Sequence, residues 1–101
     1  MKDKKEDNFF KELFFSIEKS AKGKDKLSYT KYLIKEGKNT IAQKVGEEST
    51  ELIIDYLKGS KKRTVEEAAD LIYHVFVLLY DKKINLEDIK KELFKRKNVR
   101  R

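Results

Sequence analysis

Residues 64–80 read TVEEAADLIYHVFVLLY, and the reading of this stretch decides the fold. Val65, Ala68, Ala69, Leu71, Ile72, Val75, Phe76, Val77, Leu78 and Leu79 surround most of a helical circumference at ~100° per residue. That predicts a largely buried helix. Glu66, Glu67, Asp70 and His74 fall within one arc of about 100° on the same wheel. A narrow polar stripe on a buried helix needs a partner to face.

The partner lies just upstream. Thr40 and Gln43 form a capping-box pattern that starts a helix running to about Leu57, before Gly59-Ser60. Its apolar stripe is Ile41, Val45, Leu52 and Tyr56. Glu48 and Asp55 lie beside that stripe, with Glu51 a little further round. Thr64 and Glu67 form a second capping-box pattern, opening the 64–80 helix through about Tyr80. Asn85 is the next N-cap, with Ile84 and Ile89 placed as a hydrophobic staple, and the last helix reaches roughly Lys95. Toward the N-terminus, Phe9, Phe10, Leu13, Phe14 and Ile17 recur at helical spacing, and Gly23 is placed to cap their helix. Lys22 to Lys26 reads as a loop. Ser28 is the N-cap of a short helix carrying Tyr32 and Leu33 and ending near Gly37. No strand alternation is sustained. The expectation is an all-α antiparallel bundle of about five helices, one domain over 1–101, with the basic end 95–101 a candidate mobile tail.

Composition narrows the function. At 101 residues there is room for one ordinary core. Charged residues make up 43%, against ~25% in typical globular chains. Without cysteine, thiolate metal sites, disulfides and cysteine catalysis are excluded. The longest apolar run, Leu71 to Tyr80, contains His74 and falls far short of the ~20 residues a membrane span needs. A soluble cytoplasmic protein is the expectation. The net charge of +7 fits either simple solubility or attraction to polyanions. The basic excess concentrates from Lys90 to Arg101, whereas two motifs are strongly acidic.

Those motifs are Glu47-Glu48-Ser49-Thr50-Glu51 and Glu66-Glu67-Ala68-Ala69-Asp70. Each carries carboxylates at i and i+3, side by side on a helix. In a chain with 18 acidic residues such pairs also arise by chance; Asp3 and Glu6 form one. Any single pair reads more readily as a solvated face. Three features favour a hard-cation site, with Mg²⁺ the candidate. The acids border apolar surface, where unpaired charge is costly. Glu51 has Glu47, Glu48, Ile54 and Asp55 at i±3 and i±4, and Asp70 has Glu66, Glu67, Tyr73 and His74, so neither has a Lys or Arg neighbour. The two helices are consecutive and joined by a short loop, so antiparallel packing brings the motifs together.

Residues 44–51, KVGEESTE, followed by 66–74, EEAADLIYH, resemble the phosphoribosyl-ATP pyrophosphatase family. Ser28-Tyr29-Thr30 and Asn85-Leu86-Glu87-Asp88 fit the same resemblance, which runs from about Phe9 to Phe94. The acidic motifs alone resemble only the wider MazG-like group of all-α nucleoside triphosphate pyrophosphatases. The resemblance implies hydrolysis of 1-(5-phosphoribosyl)-ATP to the AMP derivative and pyrophosphate, the second step of histidine biosynthesis. It implies Glu48, Glu51, Glu67 and Asp70 as Mg²⁺ ligands, a small nucleotide as partner rather than nucleic acid or membrane, and a homodimer. In many bacteria the family domain is fused to a cyclohydrolase; with no room here for that partner and none of its cysteine metal ligands, the stand-alone form is the expectation. Glu47, left over by the ligand pattern, is a candidate general base. Lys44, Lys61, Lys62 and Arg63 are candidate phosphate contacts, although loop and helix-end lysines are ordinarily just solvated. His74, one turn beyond Asp70, is a candidate support for the ligands, although a lone histidine on a buried helix is more often structural. Ser28 and Tyr29 are placed near substrate by the resemblance only. Two rival readings stand at this point: a house-cleaning nucleoside triphosphate pyrophosphatase, and a basic helical module that binds nucleic acid.

Overall fold

A computed structural model describes residues 8–23 and 28–100, with side chains through residue 97. The described residues hold five helices and no strand: α1 (Phe9–Lys22), α2 (Tyr29–Glu36), α3 (Lys38–Lys58), α4 (Lys61–Asp81) and α5 (Leu86–Arg100). The 3–6 pair and most of the 22–26 loop lie outside the described residues.

The long helices α3 and α4 form a hairpin turned by Gly59 and Ser60 alone. Gly59 donates its N–H to Asp55 O at 2.8 Å, and Thr64 Oγ1 donates to the same carbonyl at 3.1 Å. A Cβ on Gly59 would lie 2.9 Å from Asp55 Cα and 3.0 Å from Asp55 O, so the close turn, rather than an unusual φ, requires glycine. The caps differ from the sequence expectation. Ser60 caps α4, accepting the Arg63 N–H at 3.1 Å, and Thr64 sits inside the first turn with its hydroxyl on backbone carbonyls. At α3, Gly37 at φ 99° starts the helix, so the Thr40–Gln43 capping box does not form. Gln43 instead donates to Glu47 Oε2 at 2.9 Å. Both misreadings come from capping residues that also serve within a first turn. At Ser28 and Asn85 the expected caps are present. Ser28 Oγ accepts the Lys31 N–H, and Asn85 and Asp88 exchange side chain-to-backbone bonds at 3.0 and 3.1 Å.

The core cluster is Ile17, Leu33, Ile41 and Val77, one residue from each of α1 to α4. Leu13, Ile34, Tyr73, Phe76, Leu78 and Tyr80 pack around it. Phe14 closes one end edge-on to Phe76, ring centroids 5.6 Å apart. Each fully buried aliphatic side chain here contributes ~1.5–3 kcal/mol. α4 is less covered than its composition predicts: Val65, Ala69 and Ile72 are exposed, and on α3 Tyr56 is 76% exposed, outside the core. α5 runs past Lys95 to Arg100, and none of its described side chains is buried. Its apolar residues Ile89, Leu93 and Phe94 are interleaved with too many charges to enter the core. No helix among the described residues is long and apolar enough to cross a membrane.

Candidate active site

The antiparallel register of α3 and α4 places Asp55 beside Arg63, Glu51 beside Glu67, and Glu48 beside Asp70. One carboxylate oxygen from each of Glu48, Glu67 and Asp70 lies within 4.8 Å of the others. Three of the four ligands the sequence names are therefore brought together. Glu51 lies against Glu67 from the solvent side, outside that triangle. Glu67 is 3% exposed and Glu48 8%, while Asp70 is open to solvent.

Burial makes the cluster chemically demanding. Glu48 Oε1 and Glu67 Oε1 are enclosed and have no hydrogen-bond partner. A buried carboxylate oxygen left so costs on the order of 1–3 kcal/mol or more. Burial pushes the Glu48 carboxyl above its usual range, and Glu51 and Asp70 push it further. The Glu51 carboxyl is raised first by the charge of Glu67. Two things relieve such a site: a proton shared between neighbouring carboxylates, or a cation that both unpartnered oxygens accept. All the donors are hard oxygens, which suits Mg²⁺ and not a thiophilic metal.

Two cations bracket the acids. Arg63 donates Nη2 to Glu67 Oε2 at 2.6 Å and Nη1 to Glu66 Oε1 at 2.7 Å, with Asp55 Oδ2 at 3.9 Å. These bonds hold its guanidinium charged. Arg63 thus orients a carboxylate of the cluster, a use its i−4 spacing from Glu67 already signals. Lys44 Nζ lies 3.5 Å from Glu47 Oε1 and 3.9 Å from Glu48 Oε2, at the other end. Lys61 and Lys62 are exposed on the first turn of α4, beyond Arg63, and the structure does not bring them into the cluster. Glu47 is also outside it, on the exposed face. The hydrogen bond from Gln43 lowers its pKa, with Lys44 adding to the effect. With Gln43, Gly46, Thr50 and Glu51 it lines an open depression of about 480 Å³.

His74 is buried and does not point its nitrogens into the triangle. Nδ1 lies 2.7 Å from the Asp70 carbonyl, which only accepts, so Nδ1 carries the hydrogen. The other ring nitrogen, Nε2, lies 2.9 Å from the Tyr29 hydroxyl. One side chain thereby ties the α4 backbone at Asp70 to the start of α2. Sequence reasoning left Tyr29 near the substrate by resemblance alone; its bond to His74 is what the structure adds.

A family model described as phosphoribosyl-ATP pyrophosphohydrolase matches residues 10–97. A phosphoribosyl-ATP pyrophosphatase of Bacillus cereus (strain AH820) is 44% identical over 90 residues, 89% of this chain and 84% of that protein. The histidine biosynthesis bifunctional protein HisIE of Staphylococcus aureus (strain N315) is 41% identical over 85 residues, 84% of this chain and 40% of that protein.

Proposed function

Because the chain belongs to the phosphoribosyl-ATP pyrophosphohydrolase family, we propose that its acidic cluster is the Mg²⁺-dependent active site of that hydrolase. The reaction is hydrolysis of 1-(5-phosphoribosyl)-ATP to 1-(5-phosphoribosyl)-AMP and pyrophosphate, a step of histidine biosynthesis. The observation that carries the metal reading is the pair of buried, partnerless oxygens on Glu48 and Glu67.

In this reading Glu48, Glu67 and Asp70 hold the ion and Glu51 closes the set from the solvent side. Bound there, Mg²⁺ would offset the charge of the triphosphate and make its phosphorus more electrophilic. Arg63 fixes Glu67, and His74 fixes the backbone at Asp70. Lys44, at the open end, is placed to meet phosphate oxygens that its neighbours Glu47 and Glu48 would otherwise repel. Glu47 is the candidate base for the attacking water. Its lowered pKa keeps it ionised at neutral pH at some cost in basicity. Lys61 and Lys62 serve, in this reading, only a triphosphate that extends toward the turn.

We take the working assembly to be a homodimer in the cytoplasm. Ile53, Ile54, Tyr56 and Leu57 on α3 and Val65 and Ile72 on α4 expose apolar surface that a second copy would cover. Sedimentation at micromolar concentration tests it; a monomer there would refute the dimer.

The decisive experiment supplies purified protein with phosphoribosyl-ATP, ATP and deoxynucleoside triphosphates, with and without Mg²⁺, and measures pyrophosphate. Release is expected from phosphoribosyl-ATP, only with Mg²⁺, and is lost in Glu51→Gln and Asp70→Asn without loss of helical circular dichroism. No release from that substrate would sink the reaction. Equal release from all would favour the house-cleaning reading.

A further inference from the structure

Three tyrosine rings stand in a row beside the carboxylates. Tyr73 and Tyr29 lie 6.0 Å apart between ring centroids with 24° between their planes, and Tyr29 and Tyr32 lie 6.0 Å apart with 23°. Both are offset stacks. Exposure rises along the row, from half-buried Tyr73 through Tyr29 at 43% to Tyr32 at 51%.

The inner end is fixed and the outer end is open. The Tyr73 hydroxyl bonds Thr30 Oγ1, and the Tyr29 hydroxyl bonds His74. The His74 ring stands edge-on to Tyr29 at 5.7 Å and to Tyr73 at 5.1 Å. The row is therefore clamped to α4 one turn beyond Asp70. Lys44 and Glu48 are among the charged neighbours of Tyr29, so the row begins where the carboxylate cluster ends. A ligand whose phosphates meet the carboxylates and Lys44 thus has a rigid aromatic surface beside it. Its other end must be planar and apolar-faced to use that surface.

We propose that Tyr32, backed by Tyr29, is the stacking platform for the purine base of the nucleotide substrate. The base continues the tyrosine row on α2 while the triphosphate lies over the α3–α4 carboxylates. This rests on the nucleotide-hydrolase reading above, and it adds the element that tells a nucleotide from a bare polyphosphate. Base–aromatic stacking is lost on truncation to alanine, whereas phenylalanine keeps the ring.

The test uses the full chain with Tyr32→Ala and Tyr32→Phe, checked for unchanged circular dichroism and Tm. With phosphoribosyl-ATP, Tyr32→Ala should raise KM about tenfold with kcat nearly unchanged, and Tyr32→Phe should match the wild type. Calorimetric titration with Mg²⁺ and either ATP or inorganic tripolyphosphate supplies the second readout. Tyr32→Ala should weaken ATP about tenfold and leave tripolyphosphate within about twofold. An unchanged KM, or an equal loss for ATP and tripolyphosphate, would overturn the platform. If the wild type released no pyrophosphate yet bound ATP in this Tyr32-dependent way, the reaction would be wrong and the platform would stand.

Discussion

Arg63 holds one oxygen of Glu67 at 2.6 Å while the other oxygen of the same carboxylate is buried with no partner. The guanidinium thus sets the direction in which the free oxygen points. Removing it has two opposed effects. Loss of positive charge favours a cation, and loss of orientation disfavours one. Arg63 is 53% exposed at its side chain, so its repulsion of a cation is screened and orientation dominates. Arg63→Ala is expected to raise the Mg²⁺ concentration needed for half-maximal pyrophosphate release by about 10–100-fold, read from a Mg²⁺ titration. An unchanged midpoint would remove Arg63 from the site.

Glu48 makes a pH prediction with a definite sign. Its folded pKa is raised, chiefly by burial. The folded state therefore binds its proton more tightly than the unfolded chain does. The associated stability is present below the unfolded carboxyl pKa and is lost as pH rises through the folded value. In EDTA, Glu48→Gln should gain stability over the wild type as pH rises from about 4 to 7. With saturating Mg²⁺ the order should reverse, because only the wild type binds the ion. Paired thermal melts across that range check it, and a difference independent of pH would count against the buried charge.

Gly59 has no room for a side chain. Its Cβ would press on the backbone of Asp55, whose carbonyl already accepts two hydrogen bonds. Gly59→Ala should cost about 1–3 kcal/mol by denaturant unfolding. It should also lower activity, since the turn sets the register of the carboxylates.

Lys83 has φ 65°, the only non-glycine residue in that region among those described, where the chain leaves α4. Ile84 N–H reaches back to Leu79 O at 2.9 Å, closing the helix end. The left-handed conformation costs a side chain ~1–2 kcal/mol, partly offset by the chain entropy that glycine loses. Lys83→Gly should therefore stabilise the protein by about 0.5–1 kcal/mol in denaturant titration, with activity unchanged.

The helices were legible because their periodicity is strong. Phe14, Ile17, Leu33, Ile41 and Val77 all sit where an apolar stripe meets a neighbour. Thr40 and Thr64 misled because a hydroxyl three residues before a glutamine or glutamate also fits the interior of a first turn. The acidic cluster was legible as a motif, and its burial was partly so: the wheel puts Glu48 beside the stripe and Glu51 further round, and the structure has Glu48 enclosed and Glu51 exposed. The roles of Arg63 and Lys44 were only half visible. Each lies one turn before a cluster acid, but spacing does not tell a lysine that pairs inward from one that faces water. Tyr29 to His74 spans 45 residues, and no local pattern encodes such a contact.

The turn at Gly59 and Ser60 also bears on how the protein comes to exist. Glu48 and Glu67 meet across a hairpin closed within a single short stretch of chain, so the cluster can assemble early, before distant segments dock. Contacts this local form quickly, yet closing this hairpin drives carboxylates against one another. The acidic cluster should thus also slow folding. A divalent ion present during refolding should quicken the hairpin-forming phase as well as steady the finished protein, which stopped-flow refolding with and without Mg²⁺ would reveal.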